Sequence, residues 1–192
     1  MSKIVVLEYV SLDGVIQAPG HAAEDTDGAF AYGGWTEPFI PEHGVQMSDL
    51  FQTVRGFMLG RRTYEIWAAY WPTVTDPADE IARALNTLPK YVASTTLENP
   101  TWENTTVLKD VRTEVAQLRR QPGKPILVQG SSGLAHTLTE HGLIDEYRLW
   151  IHPVVLGRGK KLFRDGGPKL DLRLIATRTS PTGLVMLTYA PH

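Results

Sequence analysis

The chain reads as an α/β fold: a mostly parallel central sheet with an antiparallel C-terminal hairpin and helices on both faces. Three observations predict it. Short apolar runs, KIVVLEYV, GFML, KYVAST and PILVQG, recur through the first 130 residues. Segments of helical period lie between most of them, as parallel crossovers require. Near the end, LDLRLIATRT and GLVMLTYAP alternate and flank SPTG, the pattern of a hairpin.

In chain order, KIVVLEYV (3–10) is a buried strand and SLDG a turn. Residues 17–40 form a long loop with glycines, prolines and several acids, and loops of that length inside a domain usually act as lids or binding loops. PEHGVQMSDLFQTV (41–54) forms a helix with Val45, Leu50 and Val54 inward. The strand GFML and the helix RRTYEIWAAYW follow. DPADEIARALNTL (76–88) is a helix with Asp76 as N-cap and Pro77 at its first position. KYVAST (90–95) and NTTVL (104–108) are strands, and DVRTEVAQLRRQ (110–121) is a helix with Val111, Val115 and Leu118 on one face. PILVQG (125–130) is a strand and SSGLAHTLTEHG (131–142) a helix stopped by Gly142. IDEYRLWIHPVVLG (144–157) reads as one long strand before the hairpin of 170–179 and 183–191.

Bulk properties fit one domain over residues 1–192. The chain is 42% hydrophobic and 21% charged, ordinary for a protein with its own core. A net charge of -2 gives no basic excess for nucleic acid or an anionic membrane. There is no cysteine, which excludes disulfides, thiolate catalysis and Cys-ligated zinc. No run approaches a membrane span and the N-terminus lacks a cleavage site, so the expected location is cytoplasmic.

The stretch LGRRTYEIW (59–67) poses a physical question. A strand stops at Gly60 and a helix begins with Arg61 and Arg62. Cations at a helix start oppose the macrodipole by roughly 0.3–1 kcal/mol each. A bound phosphate would outweigh that penalty, and arginine offers it bidentate donors. Two further strand ends carry small or hydroxylated residues: Ser94-Thr95-Thr96 and Gly130-Ser131-Ser132-Gly133. In an open α/β sheet ligands bind beyond the carboxyl ends of the strands, and glycines and hydroxyls at helix N-termini there let backbone N–H groups approach a phosphate. The opposing reading is a set of ordinary turns with solvated arginines. Neither GxGxxG nor GxxxxGK[ST] is present. Asp13 reads first as a turn residue that can face a ligand. His21, Glu24, Asp25 and Asp27 match no metal-ligand spacing, and GRGKK (157–161) reads as a solvated basic turn. His152 reads as a packed strand histidine, while Glu42, His43 and Asp49 are residues of the second element able to project into a cleft.

SLDGVIQ, LGRRTYE, VAST and LVQGSSGLAHTL, in this order, resemble the dihydrofolate reductase-like superfamily. DGVIQAPG, GRRTYE and DEYRLWIHPVVLGRGKKLF are most similar to stand-alone bacterial members of the riboflavin-biosynthesis reductase domain family, over about residues 3 to 190. The resemblance implies an NADPH-dependent reductase, with 5-amino-6-(5-phosphoribosylamino)uracil among the implied substrates. It implies that Gly60, Arg61, Arg62 and Thr63 bind NADP phosphates, that Ser94 and Thr95 lie near the adenosine 2′-phosphate, and that Gly130, Ser131, Ser132, Gly133 and Leu134 cradle the pyrophosphate. Val10 and Ile16 would flank the nicotinamide. Asp13 and Glu42 are the candidate catalytic carboxylates, and no metal is implied. Family members are commonly homodimers, which would place Tyr147 and Trp150 of strand 144–152 near an interface. Two departures stand out. The position of the folate-reducing carboxylate falls near Gly44, and no DxPxLxxR segment follows the glycine turn. Dihydrofolate reduction and a non-catalytic NADP-binding dimer are the alternatives.

Overall fold

The computed structural model describes residues 1–192, except for the side chains of Glu42 and Val45. The elements are β1 (Ile4–Ser11), α1 (Ile40–Gln52), β2 (Gly56–Gly60), α2 (Arg61–Tyr70), α3 (Glu80–Thr87), β3 (Lys90–Ala93), β4 (Thr105–Leu108), α4 (Val111–Arg120), β5 (Ile126–Gln129), α5 (Ser132–Glu140), β6 (Glu146–His152), β7 (Leu172–Thr179) and β8 (Val185–Pro191). They form one sheet in the order β4-β3-β2-β5-β1-β6-β8-β7. β1 to β6 pair in parallel, and β8 and β7 join antiparallel at one edge. The α/β architecture read from the sequence is therefore the one observed.

Strand alternation divides the core between two layers. Ile4, Val6 and Val10 of β1 join Ile126, Val128 and Leu138 beneath α4 and α5. Val5 and Leu7 join Phe51, Phe57 and Leu85 beneath α1, α2 and α3. β1 lies at the centre, flanked by β5 and β6. Because β1, β2, β3, β5 and β6 are parallel, their carboxyl ends share one edge of the sheet, and the polar turns converge there.

Three expectations are corrected. The helix over 76–88 begins at Glu80, and its N-cap is Asp79, whose carboxylate accepts from Ala82 N–H at 2.9 Å. Asp76 caps a separate turn before it through Ala78 N–H. The strand expected over 144–157 ends at His152, because Pro153 has no N–H to continue the ladder. Tyr147 and Trp150 are only 1% and 6% exposed. β6 sits between β1 and β8, so its aromatic residues fill this chain's own core and offer no anchor to a partner. Val45, expected inward on α1, has its side chain outside the described residues, while Leu50 and Val54 are buried as expected. Among the described residues no helix is long and apolar enough to cross a membrane.

Candidate active site

The β2–α2 and β5–α5 turns lock together through one hydroxyl. Ser131 Oγ accepts from Gly60 N–H at 2.8 Å and lies 2.6 Å from Thr63 Oγ1. The approach requires glycine on both sides. A Cβ on Gly60 would stand 2.7 Å from Ser131 Oγ, and one on Gly130 would stand 3.0 Å from Thr63 Oγ1. Gly130 and Ser131 both have positive φ, 66° and 67°, which turns the chain sharply from β5 into α5. Neither α2 nor α5 has a side-chain N-cap hydrogen bond among the described residues. Their N-termini thus stand beside each other with first-turn N–H groups for a ligand. Open space lies over Gly133, while Leu134 is buried beneath the turn.

The two arginines have partners within the chain. Arg61 Nε is 2.7 Å from Glu65 Oε1, and its Nη1 reaches Thr96 Oγ1 at 2.5 Å. Arg62 Nη1 is 3.3 Å from Asp27 Oδ2 and 3.6 Å from Asp25 Oδ1. Ser94 Oγ accepts from Thr96 and Leu97 N–H and so shapes the loop after β3, while Lys109 Nζ binds the carbonyls of Thr95 and Leu97.

The long loop lies down over this edge. Phe30 and Trp35 are buried with Val15 and Ala18 in a small cluster of their own. Trp35 Nε1 donates to Gln17 O at 2.8 Å. Lys160, expected to be solvated, holds Asp25 at 2.6 Å and Asp27 at 3.0 Å. Lys160 and Arg62 keep the carboxyls of Asp25 and Asp27 below the usual carboxylate range, against the desolvation that opposes this most at Asp25. Val10 and Ile16 are both buried in the α4/α5-side cluster. Asp13 accepts from Ser11 Oγ at 2.7 Å, Leu156 N–H at 3.1 Å and Gly157 N–H at 2.7 Å. The Ser11 bond first, then the backbone bonds, lower its pKa. Through these bonds Asp13 clamps the turn after β1 to residues 156–157. The Glu42 side chain lies outside the described residues.

Sequence reasoning named His43 and His152 separately without pairing them, and it passed over Glu8 as a site residue. His43 and His152 are buried, 6% and 0% exposed, with their Nε2 atoms 3.0 Å apart. Glu8 is 3% exposed, and its Oε1 has no hydrogen-bond partner among the described residues. Burial raises the Glu8 carboxyl well above its ordinary range, although a Gly130 backbone bond favours the anion. The signal was a carboxylate interrupting the apolar run IVVLEYV, since a Glu on a fully buried strand is rare without a purpose. The histidine pair left no local signal, because its members are 109 residues apart.

The model of the RibD C-terminal domain matches residues 2–186. The Bacillus subtilis (strain 168) protein YyaP is 30% identical over 189 residues, covering 97% of this chain and 94% of YyaP. The dihydrofolate reductase of Enterococcus faecalis, solved with NADP(H), superposes with a TM-score of 0.59 at 16% identity, covering 99% of this chain and 96% of that one. A diaminohydroxyphosphoribosylaminopyrimidine deaminase/5-amino-6-(5-phosphoribosylamino)uracil reductase of Thermotoga maritima superposes with a TM-score of 0.64 at 13% identity. That match covers all of this chain and 57% of the Thermotoga chain. These likenesses show a dihydrofolate reductase-like fold.

Proposed function

The chain belongs to the RibD C-terminal domain family, and on that premise we propose that it is an NADPH-dependent reductase of a small heterocyclic or conjugated substrate. The observation that carries the reading is the pair of N-termini, α2 and α5, held side by side by Ser131 with no side-chain caps among the described residues. That arrangement fits a dinucleotide's phosphates: backbone N–H groups, glycines that permit close approach, and two cations at the rim. Arg61, Arg62 and Thr63 with Gly60 would hold phosphate oxygens. Gly130, Ser131, Ser132, Gly133 and Leu134 would cradle the pyrophosphate. Ser94 and Thr95 would meet the 2′-phosphate, with Lys109 as the cation nearby. Val10 and Ile16 would bound the nicotinamide, and residues 17–40 would cover it and exclude water. When bound, the cofactor supplies hydride, and this chain's residues orient, exclude water and hold the proton.

The Thermotoga enzyme makes 5-amino-6-(5-phosphoribosylamino)uracil the first substrate to test, and the Enterococcus enzyme makes 7,8-dihydrofolate the second. NADPH binding without oxidation of either would favour a non-catalytic NADP-binding module. Arg62→Glu tests the cofactor half. Arg62 is 68% exposed, so an ion pair there is screened and the expected loss of NADPH affinity is about tenfold, ~1.4 kcal/mol. Arg61→Ala should lose less, since Glu65 and Thr96 already occupy that guanidinium. NADPH affinity unchanged in Arg62→Glu by fluorescence titration would defeat the assignment of this turn.

A further inference from the structure

We propose that His43 and His152 act as one proton-holding pair and that this pair protonates the heteroatom of the substrate's C=N or C=O group. The inference rests on the reductase reading above. His152 Nδ1 lies 2.8 Å from the carbonyl of Trp150. A carbonyl cannot donate, so His152 carries its proton on Nδ1. In the neutral ring Nε2 is then an acceptor. His43 Nε2, 3.0 Å away, must therefore be the donor, and both tautomers of the neutral pair follow. An added proton charges the pair as a unit, because whichever Nε2 carries the bridging hydrogen, the other accepts it.

The surroundings make this a site and not a loose surface contact. His152 ends β6 opposite Ser11 of β1, and His43 lies on the first turn of α1. Tyr9 of β1 stacks on His43 with ring centroids 4.5 Å apart. Trp150 lies 5.4 Å from His43. From the long loop, Trp35 and Phe39 set their rings edge-on to His152 at 5.2 and 5.0 Å. The Tyr9 phenol is raised, first by burial and then by Glu8, and stays neutral. Burial lowers the proton affinity of His152, while the Trp150 and Val10 carbonyls pull the other way. The pair thus sits under the proposed lid, at the carboxyl end of the central strand. Asp13 accepts three hydrogen bonds, from Ser11, Leu156 and Gly157, that hold the turn after β1.

The step balances. The substrate carbon gains a hydride and the π electron pair moves to the heteroatom. That atom forms an N–H or O–H bond with the proton released by the pair. Two electrons pass to the substrate from the reduced nicotinamide, and solvent returns one proton to the histidines.

The first arm of the test needs neither substrate nor cofactor. Wild-type protein labelled with 15N-histidine is titrated by NMR from pH 5 to 8.5. The expected result is one proton taken up jointly by the two rings with a single shared midpoint, and above it the Nδ1–H tautomer at His152 with the Nε2–H tautomer at His43. Two independent titrations, or an Nε2–H tautomer at His152 in the neutral pair, would overturn the proposal. The second arm uses NADPH with 5-amino-6-(5-phosphoribosylamino)uracil and with 7,8-dihydrofolate. In wild type the hydride-transfer rate should fall tenfold per pH unit above the midpoint, and a flat profile overturns the proposal. His43→Gln retains a donor toward His152 but cannot titrate. It should keep NADPH affinity within twofold, lose about 100-fold in rate and lose the pH dependence. A folded His43→Gln with wild-type rate and profile would reduce the pair to a structural hydrogen bond. Wild type that oxidises no NADPH with either probe sinks the reductase reading instead, while the NMR arm still decides whether the two rings share a proton.

Discussion

Ser131 offers the most direct probe of the cradle, because two substitutions there separate its hydroxyl from its backbone. The Oγ accepts from Gly60 N–H at 2.8 Å and shares a 2.6 Å hydrogen bond with Thr63. Ser131→Ala removes both. Each typical bond contributes ~0.5–1.5 kcal/mol net, and a part-buried Gly60 N–H left without a partner adds to the loss, so the cost should be about 2–3 kcal/mol. In a domain of this size that lowers Tm by roughly 5–10 °C. Ser131→Gly loses the same bonds but releases the left-handed conformation at φ 67°, which costs a residue with a Cβ ~1–2 kcal/mol. Glycine gives part of that back through the entropy of the unfolded chain, ~0.5–1 kcal/mol. Ser131→Gly should therefore be more stable than Ser131→Ala by up to about 1.5 kcal/mol. Both should weaken NADPH by about tenfold, since the two turns lose their fixed spacing. Urea unfolding of the apo proteins and cofactor titration measure these quantities. Stability within ~0.5 kcal/mol of wild type in Ser131→Ala, or Ser131→Gly less stable than Ser131→Ala, would refute the reasoning.

Three further outcomes are expected. Asp27→Asn should tighten NADPH by about two- to fivefold, because it removes a carboxylate from Arg62 that competes with phosphate; weaker binding in low-salt titration counts against this. Glu8→Gln should raise Tm at pH 8 and flatten its pH dependence. The folded pKa of Glu8 is raised, so the folded state holds the proton longer and stability falls as pH rises from the unfolded carboxylate pKa toward the folded one; equal Tm–pH slopes for variant and wild type would show that Glu8 does not titrate this way. Sedimentation should show a homodimer at micromolar concentration, with the exposed Leu174 and Ile175 of edge strand β7 as its apolar contacts in place of Tyr147 and Trp150; a 21.3 kDa species would exclude it.

What was legible in the sequence follows from range. The strands of the parallel core announce themselves through β-branched runs, and the hairpin through alternation about SPTG. The start of the helix over 76–88 was misplaced by one turn, because Asp76-Pro77 has the local pattern of a cap while only Asp79 has helical N–H groups in reach. The turns GRRT and GSSG were visible as separate motifs. Their locking through Ser131 and Gly60 was not, since that contact joins residues 71 apart. The same holds for His43 with His152, and for Lys160 with Asp25 and Asp27, which local polarity had assigned to solvent.

The arginines at the start of α2 answer to a different balance from the one their position suggests. The dipole penalty is roughly 0.3–1 kcal/mol per cation. Arg61 recovers about 0.3–0.5 kcal/mol from its i,i+4 pair with Glu65. Arg62 recovers a comparable amount from Asp25 and Asp27. The chain itself therefore offsets much of the cost before any phosphate binds. What a phosphate would do is compete. Asp25 and Asp27 belong to the long loop and also hold Lys160, so an anion that draws Arg62 away leaves both carboxylates on Lys160 and brings negative charge toward them. Cofactor and loop would then contend for one guanidinium. The anchoring of Trp35 and Phe30 in their own cluster keeps the loop seated through such an exchange, because burial of two aromatic side chains outweighs one exposed ion pair. The loop can thus respond electrostatically to a ligand at α2 without leaving the histidine pair that Trp35 and Phe39 cover.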